Sequence, residues 1–596
     1  MKKNPNTSEI LVDTLIRWGV DVIFGLPGDG INPIIEALRL RKDEIKFVLV
    51  RHEETASLMA SGYAKYTGKL GVCLATAGPG AIHLLNGLYD AKSDGSPVLA
   101  ITGRTASDMI GSGYQQDLNI LQLFSDVAEH NNMINTPEQA RSAVDTAIRR
   151  ALSRRQVSHL TIPIDVQSHI LQGAYTAHNI PGHTSEIPVM QKSLPPLTEI
   201  QAAADVLNEG KKIVILVGQG ALGAQAEVLA LAEKLQAPVV KALLGKAVIP
   251  DDGPYALGGL GLLGTLPSSK AMSEADTLLM IGTSFPYSEF LPKPGDVRAV
   301  QIDLFAEKIG QRYPVEVGLV GDAKLTMEEL LPRLEEHKDA KFLTHLQNAM
   351  KEWRGALEEQ TKHAHEKLKA STVVAEISRN LADNAIVSVD TGTSTVWGAR
   401  YIDVREGMKF AVSGNLATMA CSLSYAMAGQ VAFPDRQSVA LTGDGAFQML
   451  MADFATAVMY KLPVKVFVLK NDSLNFILWE QIVALGNPEY AIELSPIDFV
   501  AFAKACGGKG YRLETPDDLR SIKRILKEDG PVLVEVVVDP FDAPLPPHIE
   551  FAQAKNFLSA MVRGQSNRWK IMQRAIEGQA YEELRKLGVS GKKSEK

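Results

Sequence analysis

The sequence predicts an α/β protein with three doubly wound parallel-sheet domains and a helical C-terminal tail. Short apolar runs, such as 212–217 and 438–442, alternate with helix-length amphipathic segments along almost the whole chain. Strands that alternate with helices favour parallel sheets covered by helices on both faces. The 596 residues are too many for one hydrophobic core and suit about three domains.

Changes in composition divide the chain into units. We predict domains at 1–185, 190–338 and 355–547, followed by a tail at 548–596. A stretch with several prolines at 178–196 is typical of a linker between the first two domains. A charged helical stretch at 339–368 leads into the third domain.

The overall composition narrows the functional class. Hydrophobic residues make up 45% of the chain and charged residues 22%, which is typical of a globular enzyme. The net charge of −7 argues against nucleic acid as the main partner. Cys73, Cys421 and Cys506 lie far apart, so they favour neither disulfides nor a zinc site and indicate a reducing cytoplasm. The N-terminus lacks the apolar core of a signal peptide, and no apolar run approaches the ~18–20 residues of a membrane span.

A glycine turn between two buried strands carries the strongest chemical signal. Gly443, Asp444 and Gly445 lie between a strand and a helix predicted at 447–460, and Asn471 follows the next strand. Because neighbouring parallel strands end at the same edge of a sheet, we expect Asp444 and Asn471 to lie close together. Oxygen ligands beside a glycine turn and a helix N-terminus suit Mg²⁺ that bridges two phosphates. The alternative is a solvated turn with an asparagine cap.

This segment resembles the diphosphate-binding motif of thiamine diphosphate (ThDP) enzymes, which begins Gly-Asp-Gly and ends in Asn-Asn. Lys470 stands in place of the first asparagine, and the second is kept as Asn471. The resemblance implies that Mg²⁺ is bound by the side chains of Asp444 and Asn471 and by the Ser473 carbonyl. The loop at 390–397 resembles a further diphosphate-side loop of the same family. The implied diphosphate contacts are Thr393, Gly443, Asp444, Gly445, Ala446 and Asn471.

Glu53 lies at the junction of a strand and a helix, directly after His52. This segment resembles the one in ThDP enzymes whose first glutamate after a histidine contacts the cofactor pyrimidine. A carboxylate in a desolvated crevice keeps a proton readily, so Glu53 could share one with the ring nitrogen N1′. The alternative is that Glu53 and Glu54 form an exposed helix N-terminus favoured by the helix dipole.

The loop at 413–419 resembles the family loop whose apolar side chain supports the bent cofactor. The resemblance implies Ala417, Thr418 and Met419 as cofactor contacts, with the flexible Met419 as the support. The alternative for Met419 is an ordinary core methionine.

Several segments resemble the pyruvate oxidases, including the quinone-linked pyruvate dehydrogenases. Residues 78–88 resemble their Gly-Pro-Gly loop, which makes His83 an active-site candidate. The alternative is that His83 is a core histidine on the face of a helix. The usual Phe-Gln pair is Gln115-Gln116 here, and Gln116 could still donate a hydrogen bond to the substrate. Glu480 is an acidic gate residue by resemblance; the alternative is an amphipathic helix that packs on the sheet.

The middle domain resembles the flavin-binding domain of pyruvate oxidases at 254–264, at 282–287 and at Asp303. Glycines there let backbone amides approach a pyrophosphate, and an acidic side chain can bind a ribose. The FAD contacts implied by this resemblance are Leu260, Gly261, Leu262, Leu263, Thr283, Ser284, Phe285, Pro286, Tyr287 and Asp303. Some acetolactate synthases also hold FAD, so flavin binding alone does not decide the reaction.

The resemblance implies a pyrimidine-binding first domain, a central FAD-binding-like domain and a third domain for diphosphate and Mg²⁺. The expected reaction is ThDP-dependent oxidative decarboxylation of pyruvate or a close 2-oxo acid, with electrons passed to FAD and then to quinone or oxygen. One alternative is an acetolactate-synthase-like carboligase that condenses two 2-oxo acids. Another is a ThDP- or nucleotide-binding protein without catalysis, against which the intact Glu53 argues.

The resemblance also implies a homodimer or homotetramer with the active site at a subunit interface. Quinone-linked members use a C-terminal amphipathic segment on membranes, and Phe557, Met561 and Trp569 alternate with basic residues in this tail. The expected location is the cytoplasm, with peripheral contact at the inner membrane face left open. The alternative for the tail is a packing helix over the active-site mouth or a neighbouring subunit.

Overall fold

The protein contains three six-stranded sheets, and every strand pair in them is parallel. This computed structural model describes residues 4–172, 184–187, 192–362, 367–544 and 551–577. The predicted α/β class with three doubly wound sheets is confirmed. Each sheet falls within one of the predicted domain ranges, whose boundaries stay predictions. Most of the predicted linker at 178–196 lies outside the described residues.

The first sheet has the strand order β2-β1-β3-β4-β6-β5. Its strands are β1 (Val22–Gly25), β2 (Lys46–Leu49), β3 (Gly71–Ala75), β4 (Val98–Arg104), β5 (His130–Met133) and β6 (Val157–Pro163). Its helices are α1 (Thr7–Arg17), α2 (Asn32–Leu40), α3 (Glu53–Thr67), α4 (Pro79–His83), α5 (Leu85–Ser93), α6 (Ile120–Leu123), α7 (Pro137–Arg154) and α8 (Ile164–Ser168). The connections that follow β2 and β3 begin α3 and α4, so they bring Glu53 and His83 to one edge of this sheet.

The second sheet has the order β12-β11-β10-β7-β8-β9. Its strands are β7 (Ile213–Val217), β8 (Val239–Lys241), β9 (Ala256–Gly259), β10 (Thr277–Ile281), β11 (Arg298–Asp303) and β12 (Val317–Val320). Its helices are α9 (Leu197–Glu209), α10 (Gln225–Lys234), α11 (Leu266–Glu274) and α12 (Ala323–Leu330). The chain runs outward in opposite directions from β7 and β10, so the strand order reverses between these two central strands.

The third sheet has the order β14-β13-β15-β16-β18-β17. Its strands are β13 (Ile386–Val389), β14 (Lys409–Ala411), β15 (Ser438–Gly443), β16 (Lys465–Lys470), β17 (Lys509–Leu513) and β18 (Val532–Val537). Its helices, after the connecting α13 (Lys341–Lys362), are α14 (Ala370–Asn380), α15 (Thr393–Tyr401), α16 (Cys421–Ala432), α17 (Asp444–Leu450), α18 (Phe454–Met459), α19 (Asn475–Trp479), α20 (Phe499–Ala505) and α21 (Ile522–Ile525).

The prediction of one helix at 447–460 was wrong, because the segment forms α17 and α18 with a 3₁₀ turn between them. Asp453 lies in this turn, and its buried carboxylate accepts hydrogen bonds from the Thr55 hydroxyl (2.6 Å) and the Arg51 amide (2.8 Å). These partners belong to the first domain, so a tertiary contact sets the break.

The first and third domains share a hydrophobic core. Met59 and Tyr63 of α3 belong to the same buried cluster as Leu423 and Met427 of α16. The two helices approach closely at Gly62, where an added Cβ would lie 2.7 Å from the Tyr425 ring. The cofactor-related segments of both domains are therefore attached to one rigid interior.

The described part of the tail forms two helices, α22 (Phe551–Val562) and α23 (Arg568–Glu577). Phe557 and Met561 are buried in a cluster with Ile482, whereas Trp569 is 72% exposed. The tail therefore packs on the segment that follows α19, and contact with a membrane stays a prediction. Residues 578–596 of the predicted helical tail lie outside the described residues.

Candidate active site

The glycine turn connects β15 directly to α17, and Asn471 follows the neighbouring strand β16. One carboxylate oxygen of Asp444 accepts hydrogen bonds from the amides of Asn471 (3.0 Å) and Asp472 (2.6 Å), and the other accepts from Gly445 (2.9 Å). The parallel register thus brings Asp444 and Asn471 together, as the sequence predicts. Burial raises the pKa of Asp444 to about 6, although the three amides act in the opposite direction.

The oxygen atoms around this turn fit a hard divalent cation. The Asn471 side-chain oxygen accepts a hydrogen bond from the Ser473 amide (3.2 Å) and keeps a lone pair. The Ser473 carbonyl, which is the predicted third ligand, accepts a hydrogen bond from the Asn475 amide (2.8 Å). The buried Ser473 hydroxyl has no hydrogen-bond partner among the described residues. An added Cβ on Gly443 would meet no atom within 4 Å, so the backbone there is open to a ligand. Magnesium with a diphosphate fits this donor set, and the assignment of Asp444, Asn471 and Ser473 as ligands stays a prediction.

Met419 lies beside the glycine turn. Its methyl carbon is 3.8 Å from the position that a Cβ on Gly445 would take, and Leu474 and Leu494 are nearer still, at 3.0 and 3.1 Å. A side chain at position 445 would therefore press on both leucines, so the tight packing favours glycine there. Ala417 has a left-handed backbone (φ 56°), so the loop before α16 turns sharply to bring Met419 here.

One continuous cavity of about 1750 Å³ joins the third domain to the second. The predicted site residues of the third domain that line it are Thr393, Ala417, Met419, Gly443, Asp444, Gly445, Ala446, Asn471, Ser473 and Glu480. Those of the second domain are Leu260, Leu262, Leu263, Thr283, Ser284, Phe285, Pro286, Tyr287 and Asp303. Typical ligand pockets measure roughly 300–1,000 Å³, so this cavity has room for more than one ligand.

Two predicted contacts of the second and third domains, Gly261 and Thr418, are not part of the cavity lining. Gly261 has a left-handed backbone (φ 84°), and an added Cβ would lie 3.3 Å from the rings of Phe285 and Phe290. The Thr418 hydroxyl accepts a hydrogen bond from Asn86 (2.8 Å). Both residues therefore shape their loops, and direct contact with a cofactor stays a prediction for each.

Two glycine-containing loops pass close to each other where the strand order of the second sheet reverses, and we call this contact the glycine crossing. The Gly218 amide donates to Ile281 O (2.9 Å), and the Gly220 amide donates to Gly282 O (3.0 Å). An added Cβ on Gly220 would lie 2.7 Å from the Gly282 Cα, so side chains are excluded. Ligands of open α/β sheets bind in the crevice at such a reversal. Asp303 lies at the end of β11 on the same cavity, and burial raises the pKa of its carboxyl.

Arg155 is a cavity residue that the sequence analysis missed. It follows α7 in a left-handed conformation, and its Nε donates to Gly95 O (3.3 Å). Within the described part of the chain it pairs with no carboxylate, and burial lowers its pKa. No local motif marks this arginine, because it reaches the cavity only through the packing of the first domain on the second.

Glu53 begins α3 and is 6% exposed, so the alternative of an exposed helix N-terminus is wrong for it. Its Oε2 lies 2.9 Å from His83 Nδ1, and the His83 ring stacks on His52 at 4.4 Å. His83 is 42% exposed, so the alternative of a core histidine is also wrong. An added Cβ on Gly80 would lie 3.2 Å from the other Glu53 oxygen. The first domain thus holds a buried carboxylate against a partly exposed imidazole.

Gln116 and Glu480 lie in different parts of the structure. Gln116 has a left-handed backbone (φ 61°), and its Cβ lies 2.8 Å from where a Cβ on Gly78 would be, at the start of the His83 loop. Glu480 is exposed, begins a π-helical turn that continues α19, and lines the cavity. Glu53, His83 and Gln116 are absent from the described lining of that cavity. One chain therefore presents two separate groups of candidate residues.

Family models match all three sheet-containing regions. The N-terminal TPP binding domain of thiamine pyrophosphate enzymes matches residues 5–123, the central domain matches 200–330, and the C-terminal TPP binding domain matches 390–536. Together with the fold and the glycine turn, these matches define the class of the protein. The chain belongs to the thiamine pyrophosphate enzyme family, and thiamine diphosphate is its cofactor.

The similarity to individual relatives extends over nearly the whole chain. The chain is 42% identical to "Putative thiamine pyrophosphate-containing protein YdaP" of Bacillus subtilis, over 93% of this chain and 95% of that protein. It is 30% identical to pyruvate oxidase of Lactiplantibacillus plantarum, over 90% and 89%. It is 32% identical to acetolactate synthase 1, chloroplastic, of Nicotiana tabacum, over 89% and 81%. The oxidase and the synthase are similar to the chain to nearly the same degree, so identity does not separate the two activities.

No helix within the described ranges is both long and apolar enough to cross a membrane.

Proposed function

We propose that this ThDP enzyme also binds FAD and oxidatively decarboxylates pyruvate or a close 2-oxo acid, passing electrons through FAD to quinone or oxygen. The observation that carries the proposal is the single cavity shared by the glycine turn and the strand-order reversal of the second sheet. ThDP at the glycine turn, the electron donor, and a flavin at the strand-order reversal would lie in the same cavity.

The second-domain side of the cavity suits a flavin nucleotide. Phe285 and Tyr287 form an edge-to-face pair with centroids 5.7 Å apart, which offers an apolar wall to a planar ring. The Asp303 carboxylate can accept hydrogen bonds from a ribose. Arg155 lines the same cavity and pairs with no carboxylate of the described residues, so it can neutralise a pyrophosphate there. Arg400 of α15 donates to Leu262 O (2.8 Å) and so ties this wall to the third domain.

The residues of the chain have separable roles in the proposed reaction. ThDP, when bound, supplies the nucleophilic carbon and the electron sink for decarboxylation, and FAD supplies the two-electron acceptor. Glu53, buried and hydrogen-bonded to His83, can exchange a proton with the pyrimidine. Asp444 and Asn471 would hold Mg²⁺ at the diphosphate. Gln116 can donate a hydrogen bond to the carboxylate or the developing oxyanion of the substrate.

The active site requires a second copy of the chain in this proposal. Glu53 and His83 do not line the cavity that contains Asp444, so each chain lacks half of a complete site there. We propose a homodimer or homotetramer in which Glu53 of one chain faces the glycine turn of its partner. Mixing inactive Glu53→Gln chains with inactive Asp444→Ala chains should restore part of the activity, because some mixed sites would contain both intact residues. No recovery after verified subunit exchange would contradict the shared site.

The absorption spectrum of the purified protein tests flavin binding, and anaerobic pyruvate tests its role. We expect a flavin band that pyruvate bleaches, and turnover with an artificial electron acceptor to CO₂ and acetate or acetyl phosphate. A matched reaction with Glu53→Gln protein should leave the flavin oxidised. If wild-type FAD stays oxidised while acetolactate accumulates, the oxidase proposal fails.

A carboligase of the acetolactate synthase type is the second candidate. Gln115 stands where these families carry phenylalanine, and the structure exposes it on the active-site loop. A polar, exposed side chain there removes an apolar wall and leaves room for a second 2-oxo acid. Product analysis in the same anaerobic experiment distinguishes the two reactions.

A further inference from the structure

A buried ion pair lies on the cavity wall between the first and third domains. Lys65 Nζ is 2.7 Å from an oxygen of Asp94 and 3.0 Å from Asp90, and both aspartate side chains are fully buried. The same ammonium donates to Val412 O (3.0 Å) and to the Tyr425 hydroxyl (2.8 Å). The pair therefore joins α3 and α5 to the strand and helix that flank the loop at 413–419.

Asp94 contacts all three domains. Its carboxylate accepts hydrogen bonds from the amides of Gly414 and Asn415 and from the Asn415 side chain, each at 2.9 Å. Its backbone carbonyl accepts a hydrogen bond from Gln219 (2.8 Å), which lies within the glycine crossing of the second domain. Burial alone would raise the pKa of the Asp94 carboxyl, but Lys65 and the two amides outweigh burial, so its pKa lies below the ordinary value.

The other end of the loop is also fixed by the first domain. The Asn86 amide group donates to the Thr418 hydroxyl (2.8 Å) and to Glu54 (2.6 Å). Between these two attachments the backbone is left-handed at Ala417, and it is left-handed again at Ala420 (φ 70°), directly after the loop. A non-glycine residue is held in that conformation only where the surroundings determine it.

We infer that Asp94 and Lys65 are positioning residues, which fix the loop at 413–419 and thereby hold Met419 beside the glycine turn. Asp94 supplies the acceptors that order the start of the loop. Lys65 supplies the charge that keeps this carboxylate ionised in a buried place. Through Gln219, the same aspartate also sets the loop relative to the second-domain wall of the cavity.

A second buried aspartate offers a matched control for a purely structural role. Asp251 forms ion pairs with Lys241 (2.7 Å) and Lys246 (3.0 Å). Its carboxylate also accepts a hydrogen bond from the Val404 amide (2.8 Å), which joins the second domain to the third. It is buried like Asp94, and none of its hydrogen bonds in the described structure goes to the loop at 413–419. Replacing either aspartate should therefore lower the stability of the protein. Only the replacement of Asp94 should also disorder the loop at 413–419.

The test compares Asp94→Asn with Asp251→Asn in the full-length protein. An asparagine has the shape of aspartate but accepts on one side only, so it loses either the Gly414 and Lys65 contacts or both Asn415 contacts. We expect faster hydrogen exchange at 413–419 in Asp94→Asn. Its Kd for ThDP in excess Mg²⁺, measured by calorimetry, should rise about tenfold to a hundredfold. Asp251→Asn should lower the unfolding temperature while its ThDP Kd stays within about twofold of wild type.

The inference is overturned if Asp94→Asn leaves both loop exchange and the ThDP Kd at wild-type values. It is also overturned if Asp251→Asn weakens ThDP binding equally, because a general loss of stability would then explain both effects.

Substitutions at Asn415 keep the test decisive if Asp94→Asn does not fold. Asn415 is exposed, so its replacement removes no buried charge. Asn415→Ala should raise loop exchange and weaken ThDP binding about threefold to tenfold. Asn415→Asp should do both more strongly, because it places a second carboxylate against Asp94. If both variants match wild type, Asp94 does not position the loop.

Discussion

Replacing Glu53 with glutamine tests the proton transfer that the first domain provides. The change keeps the shape of a side chain that is 6% exposed and lies 2.9 Å from His83 Nδ1. A glutamine amide offers both an acceptor oxygen and a donor nitrogen, so it can keep the hydrogen bond with His83 and the pocket should keep its geometry. A glutamine cannot exchange a proton with the pyrimidine nitrogen, so the loss falls on catalysis.

The expected fall in kcat follows from the contribution of a single acid–base group to the rate. A positioned acid–base group contributes about 10²–10⁴-fold to the rate, or about 3–5 kcal/mol of activation free energy. In the proposed site, ThDP is bound mainly through the glycine turn, so its Kd should change by less than about tenfold. We therefore expect kcat to fall by at least about a hundredfold at saturating ThDP and Mg²⁺.

The assay is the release of CO₂ from a 2-oxo acid, with the ThDP Kd measured by calorimetry on the same preparation. Glu36→Gln is a suitable control, because Glu36 is an exposed glutamate whose ion pair is with Arg39 on the same helix. That control should keep wild-type turnover. A Glu53→Gln enzyme with kcat within tenfold of wild type would refute the role of Glu53 in proton exchange.

Three further changes test other parts of the structure. Asp444→Ala should weaken ThDP and Mg²⁺ binding together, because the metal connects protein and diphosphate; unchanged affinities in calorimetry would show that the metal site is elsewhere. Gln115→Phe should lower any acetolactate formed relative to CO₂, and an unchanged product ratio would exclude a role of Gln115 in admitting a second substrate. His159 is buried against Phe124, and burial lowers its pKa to about 3. Between pH 3 and about pH 6.5, the imidazole is therefore protonated in the unfolded chain and neutral in the folded protein. The free energy of unfolding should therefore fall by up to about 1.4 kcal/mol per pH unit below pH 6.5. In His159→Gln, the unfolding temperature should depend less on pH between pH 7 and 5 than in the wild type. An equal pH dependence in both proteins would contradict this reasoning.

Local patterns predicted the parts of the site that a single βαβ unit forms. Asp444 and Asn471 follow adjacent parallel strands, so the register of β15 and β16 brings them together. The same reasoning failed for the helix at 447–460, because Asp453 in its middle bonds to the first domain. The ligand roles of the predicted site residues stay predictions until they are measured.

The amino-acid sequence is sufficient to predict the alternation of strands and helices, and with it three parallel sheets and a glycine turn at the edge of one of them. These features depend on neighbours along the chain, whose periodicity and turn residues are visible in the sequence. Three features became visible only in the folded protein: the second and third domains share one cavity, Arg155 reaches that cavity, and Asp94 is hydrogen-bonded to the loop that contains Met419. Those contacts depend on how domains pack against one another, and no local pattern encodes the packing of segments that are hundreds of residues apart.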